Sequence, residues 1–292
     1  MVPKKLLFII NPKSGNNDKS TLEKLISSQC DKNKKEYTLF YTSGENDLEK
    51  IKEKQAEYQA DTIVACGGDG TVNLVAQILL NTSTQMGIIP LGSANGLAHE
   101  LEIEEDTEES LELIMRGKTL SMDVIHINNE FICLHLSDLG FNAQMIKDFE
   151  ESGERGMLSY AKSFFGSLMD KKSTEFRIEF NGTNKTLKAE MIVMANASSY
   201  GTGAVINPGS RMDDGSFELV IFKPIPMRDL LSLTLESFLG DIKNSPYVEI
   251  HKVEKATIYC EEAELLQVDG ELKGKSKEIQ ANVIKAALNV IS

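Results

Sequence analysis

Residues Thr62–Leu80, TIVACGGDGTVNLVAQILL, constrain this chain more than any other stretch. The largely β-branched run Thr62-Ile63-Val64-Ala65 reads as a buried strand that ends abruptly in Gly67-Gly68-Asp69-Gly70-Thr71. Beyond it, Val72, Val75, Ala76 and Leu79 recur at the three–four spacing of a helix packed on a sheet. A glycine-rich turn therefore sits where the carboxyl end of a strand meets the amino end of a helix. Free helix N–H groups and the helix dipole both favour an anion there, and Thr71 is expected to cap the helix. Asp69 is the odd member. A carboxylate in a phosphate cradle repels its ligand unless a divalent cation lies between them, so the stretch points to nucleotide with Mg²⁺. The bland alternative is a tight strand-to-helix connection with no ligand. Two common nucleotide motifs are excluded: no Gly-Lys-Ser/Thr follows the turn, and Asn73 stands where a dinucleotide fingerprint needs its last glycine.

With 292 residues the chain has room for two domains, each with its own core. Cys30, Cys66, Cys133 and Cys260 have no metal or redox spacing and, with no signal segment, are expected to be reduced cytosolic thiols. No apolar run approaches membrane-spanning length, so any membrane contact is expected to be peripheral. The formal charge of −13 argues against nucleic acid and against adsorption to anionic lipid, but a neutral lipid remains reachable through an apolar surface. No histidine pair has zinc-ligand spacing, and Gly-x-Ser-x-Gly does not occur.

In chain order, Lys5–Ile10 reads as a first strand ending in the turn Asn11-Pro12-Lys13-Ser14-Gly15. Ser20-Thr21-Leu22-Glu23 reads as a capping box opening the next helix. A second strand, Glu36–Tyr41, ends at Thr42-Ser43-Gly44 and is followed by a charged helix to about Gln59. After the opening stretch, Met86–Pro90 forms a fourth strand, then the turn Leu91-Gly92-Ser93-Ala94-Asn95-Gly96 and helices to Arg116. Four strand–helix units imply a parallel sheet whose polar and glycine turns share one edge, where such sheets bind ligands.

Past Leu120 the pattern becomes β-rich. Met122–Ile127, Asn128-Asn129 and Glu130–Leu136 read as a hairpin, and Asn181-Gly182 joins another. Met191–Asn196, Ser216–Phe222, Ala256–Cys260, Leu265–Val268 and Ile279–Ile284 are further strands, with helical interruptions near Met157–Asp170 and Met227–Leu239. The expected architecture is an α/β domain over 1–122, with 280–292 as a candidate completion, and an antiparallel β-sandwich over 123–279.

Asn11-Pro-x-Ser-Gly15, Gly67-Gly-Asp-Gly-Thr71, Pro90-Leu-Gly-Ser-x-Asn95 and Asp269-Gly-Glu271 stand in order along one chain. Together they resemble the diacylglycerol kinase catalytic-domain family, which includes bacterial diacylglycerol and phosphatidylglycerol kinases, sphingosine kinases and ceramide kinases. The resemblance implies an ATP- and Mg²⁺-dependent transfer to a lipid hydroxyl in a cleft between the domains. It implies nucleotide contacts from Asn11, Pro12, Lys13, Ser14, Gly15, Thr42, Gly67, Gly68, Asp69, Gly70, Thr71, Asn73, Ser93 and Asn95. It implies Glu271 as general base, and Asp123 joining Asp69 in a water-mediated Mg²⁺ network. Arg211-Met-Asp-Asp214-Gly-Ser216 resembles a structural metal loop, with Asp214 and the carbonyls of Arg211 and Ser216 as ligands.

Bottom-up, an alcohol is a poor nucleophile until a carboxylate takes its proton, which is what Glu271 would supply. On local pattern alone, Asp269-Gly270 also reads as an ordinary hairpin turn, and Asp123 as a strand's polar alternation. Two departures stand out: Gly96 replaces the aspartate of many bacterial members, removing one carboxylate, and His99 stands where arginine is common. The rival expectations are an NAD kinase-like enzyme and a catalytically weak lipid- or nucleotide-binding protein. A homodimer and a cytoplasmic location with peripheral membrane contact complete the reading.

Overall fold

The computed structural model describes residues 3–15, 19–140, 173–200, 205–229, 232–233, 236–237 and 239–292. Two compact units emerge, Met1–Val124 with Lys285–Ser292, and Ile125–Ile284.

The first unit alternates strand and helix: β1 (Lys5–Ile10), α1 (Lys19–Lys32), β2 (Glu36–Tyr41), α2 (Asp47–Tyr58), β3 (Thr62–Gly67), α3 (Asp69–Leu79), β4 (Gln85–Pro90), α4 (Gly96–Glu100) and α5 (Thr107–Arg116). β1, β2, β3 and β4 pair in parallel in the order β4-β3-β1-β2. The sheet is buried on both faces, which is why β1, β3 and β4 read as continuous apolar runs. On one face Leu6, Phe8, Ile10, Val64, Cys66 and Ile89 meet Leu22 and Ile26 of α1 and Leu111, Ile114 and Met115 of α5. Leu7, Ile9, Ile63 and Ala65 alternate to the other face and are equally buried. There α3, packed on β3, buries Val72, Val75, Ala76 and Leu79, the stripe legible in the sequence. Asp106 caps α5 by accepting the N–H groups of Glu108 and Glu109, and Gly117 ends it in the left-handed region.

Two expected caps are corrected. α1 already includes Lys19 and Ser20, so Ser20 lies inside the helix instead of capping it. α3 begins at Asp69 with Gly68 as its cap, which moves Thr71 into the first turn. The chain winds into the helix as soon as it leaves β3.

The second unit is antiparallel: β5 (Thr119–Ile127, entering from the first unit), β6 (Phe131–Cys133), β7 (Leu136–Gly140), β8 (Thr174–Phe180), β9 (Thr183–Ala189), β10 (Met191–Ala195), β11 (Phe217–Phe222), β12 (Val248–Val253), β13 (Lys255–Val268) and β14 (Glu271–Ile291). One run of strands is β12-β11-β10-β7-β13-β14. β13 pairs with β8 through Ala256–Cys260 and with β7 through Leu266–Val268. Between the two its register shifts, an irregularity of the kind that lets a long strand serve two layers of a sandwich. The two strands expected at Ala256–Cys260 and Leu265–Val268 are thus one. Phe176, Ile178, Ile192, Met194, Phe217, Leu219, Ile221, Ile258 and Ile279 fill its core. Asn181 and Gly182 both take positive φ, 49° and 74°, as the Asn-Gly hairpin requires.

The expected strand Glu130–Leu136 is corrected: β6 stops at Cys133 and β7 restarts at Leu136, because the N–H groups of Leu134 and His135 turn to the Asp269 carboxylate. β12 carried no sequence signal of its own. The helical segment expected near Met157–Asp170 lies outside the described residues. Of that near Met227–Leu239, the described part holds a single 3₁₀ turn at Met227–Asp229 and helical residues at 232–233 and 236–237. The end of β14 leaves the second unit and pairs in parallel with β4, Asn289 level with Gln85.

Candidate functional site

Strand order reverses direction at β1, with β2 on one side and β3 on the other, so the turns after β1 and β3 flank a switch point. Those turns are knitted together. The Asn11 N–H donates to the Cys66 carbonyl (3.0 Å), and the Thr42 N–H to the Ile10 carbonyl (2.9 Å). The Asn11 side-chain amide reaches the Thr71 hydroxyl at 3.4 Å. Leu91 N–H donates to the Gly67 carbonyl at 2.9 Å, tying the turn after β4 to the turn after β3.

The glycines are there for room. A Cβ on Gly67 would lie 2.2 Å from the Thr71 hydroxyl, and one on Gly92 would lie 2.5 Å from the Gly68 Cα. Asn95, buried and left-handed at φ 48°, closes the second turn by accepting the Gly92 N–H (2.8 Å) and donating to the Gly92 carbonyl (3.0 Å). Pro12, Lys13, Gly15 and Ser93 are exposed at this edge; Ser14, Thr42 and Asn73 are half-buried, and Asn73 accepts from Gln77.

Asp69, in the first turn of α3, accepts the backbone N–H groups of Gly96 and Leu97. Burial raises its carboxyl above the ordinary aspartate value, and those two N–H groups hold the rise back. Gly96, where a second acid was expected, therefore serves Asp69 through its backbone. His99 stands nearby and pairs with Glu105 at 3.4 Å. Mg²⁺ is commonly held by one or two protein carboxylates, with waters and phosphate oxygens completing the shell. Asp69 fits that habit. Among the described residues no group of three or more His, Cys, Asp or Glu could hold a metal ion unaided.

Asp123 is buried on β5, and its carboxylate accepts the Ala286 N–H at 2.7 Å. The neighbouring Ala287 carbonyl takes the Asn81 N–H, in the turn that enters β4. Asp69 stands after the carboxyl end of β3, so different segments fasten the two acids.

In the second unit, Asp269 and Gly270 link β13 to β14 with φ of 48° and 85°, both left-handed as in a two-residue hairpin, and Val268 pairs with Glu271. The Asp269 carboxylate accepts the N–H groups of Leu134 and His135, each at 2.9 Å. Glu271 projects from this turn, exposed, and pairs with Lys273 at 2.7 Å. The Lys273 ammonium lies 5.4 Å over the Phe131 ring.

At the Arg211–Ser216 loop, Arg211 pairs with Asp213, while Asp214 takes Lys252 (2.6 Å) and the Ser216 hydroxyl. Partial burial works against the charge on Asp214, but those donors outweigh it and its carboxyl lies below the ordinary value. A metal ion at this loop has to displace the Lys252 ammonium.

All four cysteines are buried free thiols, and burial pushes Cys30 and Cys260 up to about 12, leaving them inert at neutral pH. Among the described residues no helix is long and apolar enough to cross a membrane. Asp138, Gln267 and Lys273 went unnoticed in the sequence. Asp138 does carry the signal that singled out Asp123, an acid interrupting an apolar stretch.

A model of the diacylglycerol kinase catalytic domain matches residues 5–127. A second, described as the YegS C-terminal NAD kinase beta sandwich-like domain, matches residues 138–292. A probable lipid kinase YegS-like protein of Enterobacter sp. (strain 638) is 27% identical over 290 residues, covering 97% of this chain and 94% of its own. The diacylglycerol kinase of Bacillus subtilis (strain 168) is 25% identical over 219 residues, 73% of this chain and 72% of that one. Among solved structures, a putative diacylglycerol kinase from Bacillus anthracis superposes with a TM-score of 0.83 at 22% identity, over 100% of this chain and 98% of that one. That likeness bears on the fold, an α/β unit followed by a β-sandwich.

Proposed function

The chain belongs to the diacylglycerol kinase catalytic-domain family, and from that premise we propose that it transfers the γ-phosphoryl group of ATP, with Mg²⁺, to a lipid hydroxyl. A lipid-kinase type of reaction comes with the membership; nucleotide, metal and acceptor are the finer part of the reading. The observation that carries it is the Asp69 turn. One carboxylate is aimed among backbone N–H groups at a switch-point edge, in a cradle where Gly67 and Gly92 leave no room for a side chain.

In this reading the turns at Asn11–Gly15, Gly67–Thr71 and Gly92–Asn95 bind and orient the nucleotide phosphates. Asp69 is the protein carboxylate for Mg²⁺, with Asp123 acting at longer range through water. Mg²⁺, when bound, neutralises charge on the phosphates. Glu271 takes the proton of the acceptor hydroxyl, and apolar side chains of the second unit hold the acyl or sphingoid chain. Catalysis is then positioning plus charge neutralisation.

The test is a labelled-ATP transfer screen across diacylglycerol, monoacylglycerol, sphingoid bases, ceramide, phosphatidylglycerol and NAD, with and without Mg²⁺. The expected result is Mg²⁺-dependent label on one lipid class. Label on NAD alone assigns an NAD kinase-like activity. Binding of ATP or lipid with no transfer to any acceptor makes this a binding protein.

A further inference from the structure

Asp138 is wholly buried on β7 and has no task in the reading above. Two groups donate to its Oδ2: the Gln267 side-chain amide at 2.7 Å and the Tyr200 hydroxyl at 3.1 Å. Gln267 is itself 2% exposed and lies opposite Asp138 in the β7–β13 register. With its NH₂ turned to Asp138 and, at a longer 3.4 Å, to the Leu136 carbonyl, its Oε1 accepts the Gly270 N–H at 2.7 Å. The Ser137 hydroxyl holds the Gln267 carbonyl at 2.6 Å, fixing the same stretch of backbone.

The two ends of a carboxamide have nearly the same shape, so its partners decide which end faces which way. An ionised carboxylate only accepts, so Asp138 on one side demands the NH₂ and leaves the carbonyl oxygen for the other. That oxygen meets Gly270, the residue immediately before Glu271. An Asp-Gly hairpin turn needs no such support to form, and strand β7 sets Asp138 beside the buried Leu136 and Leu139. A buried carboxylate there is costly unless it organises its donors.

We propose that Asp138 is a positioning residue for phosphoryl transfer: through the oriented Gln267 amide it fixes the turn from which Glu271 projects. The inference rests on the reading of Glu271 as general base. Asp138 and Gln267 touch no substrate; they set where the base stands. Tyr200 adds a second donor that steadies Asp138.

The test compares Gln267→Met, Asp138→Leu and Asp138→Asn in the transfer assay, with melting temperature recorded for each. Gln267→Met and Asp138→Leu should lower kcat about tenfold, inside the hundredfold that about 1 Å of misplacement costs, with KM for ATP within about twofold. Asp138→Asn keeps an acceptor oxygen for Gln267 and should recover most of the loss. The double variant Gln267→Met/Glu271→Gln should be no slower than Glu271→Gln alone, because the amide acts only through the base. Should Asp138→Leu fail to fold, Gln267→Met and the double variant carry the same comparison. Full kcat in Gln267→Met, or losses that multiply in the double variant, overturns the inference alone. Wild-type turnover in Glu271→Gln removes the base itself, and this inference with it.

Discussion

The glycine turns after β3 and β4 and the Asp269-Gly270-Glu271 turn hold backbone in place by opposite means. Gly92 has an ordinary φ but no space, since an added Cβ would strike Gly68 and Asn95. Gly270 has open space around it but a φ of 85°. The first region is fixed by residues close in sequence or by backbone touching backbone. The second is fixed by groups from far along the chain, the Asp138 carboxylate acting through Gln267 and the backbone N–H groups of Leu134 and His135. A turn of the first kind announces itself in its own residues, while a turn of the second kind hides its supports elsewhere.

The sharpest break between the two regions is functional. Glu271→Gln should cut turnover at least about a hundredfold, the usual weight of a general base, with ATP affinity nearly unchanged. Retained turnover would remove the second region from the chemistry. Asp69→Asn keeps an acceptor for the Gly96 N–H, so the fold should hold. Removing the charge should weaken Mg²⁺ use roughly tenfold or more, read as the Mg²⁺ concentration for half-maximal rate. An unchanged Mg²⁺ requirement would mean that Asp69 is only a cap for α4.

Stability separates the two kinds of glycine. Gly92→Ala should cost about 2 kcal/mol in urea unfolding, because the crowded atoms are backbone and cannot swing away. Gly270→Ala should cost about 1 kcal/mol, the penalty of a left-handed backbone alone. The reverse order would show that the hairpin turn is the more crowded of the two.

A half-buried counterpart of the buried clamps gives the smallest effect. Lys185, Lys223 and His251 surround Glu249. Partial burial opposes its charge, but those donors prevail and hold it down at about 2. A folded value below the ordinary one means this stabilisation is full above about pH 4.5 and fades as pH falls toward 2. Solvent screening reduces it to about 1 kcal/mol at pH 7. Glu249→Gln should therefore be less stable than wild type at neutral pH, and the gap should close on acidification. A gap that stays constant down to pH 2 would count against the ion-pair account.

Much of the first unit was legible because each parallel strand is an apolar run followed at once by its own punctuation. The Asn-Gly hairpin at Asn181 was legible for the same reason. Ser20 and Thr71 misled because a capping residue can equally sit inside a first turn, and only the path of the chain decides. β12 was hidden because its sequence, VEIHKV, sets Glu249, which pairs with Lys185 and Lys223 outside the strand, among the buried Val248 and Val253. The partners of Asp69 were invisible for another reason. Gly96 reads as a lost acid, whereas its contribution is a backbone N–H, which every sequence carries and none displays.

The last strand has a consequence for how the protein comes into being. Ile291 belongs to the core beneath β1 and β4, and Asn289 and Val290 lie alongside β4. During synthesis, the first 124 residues leave the ribosome long before these partners are made. Until then β4 waits as a bare apolar edge open to a neighbouring chain. Removal of residues 285–292 should therefore show itself first as aggregation of newly made protein, rather than as a slower enzyme.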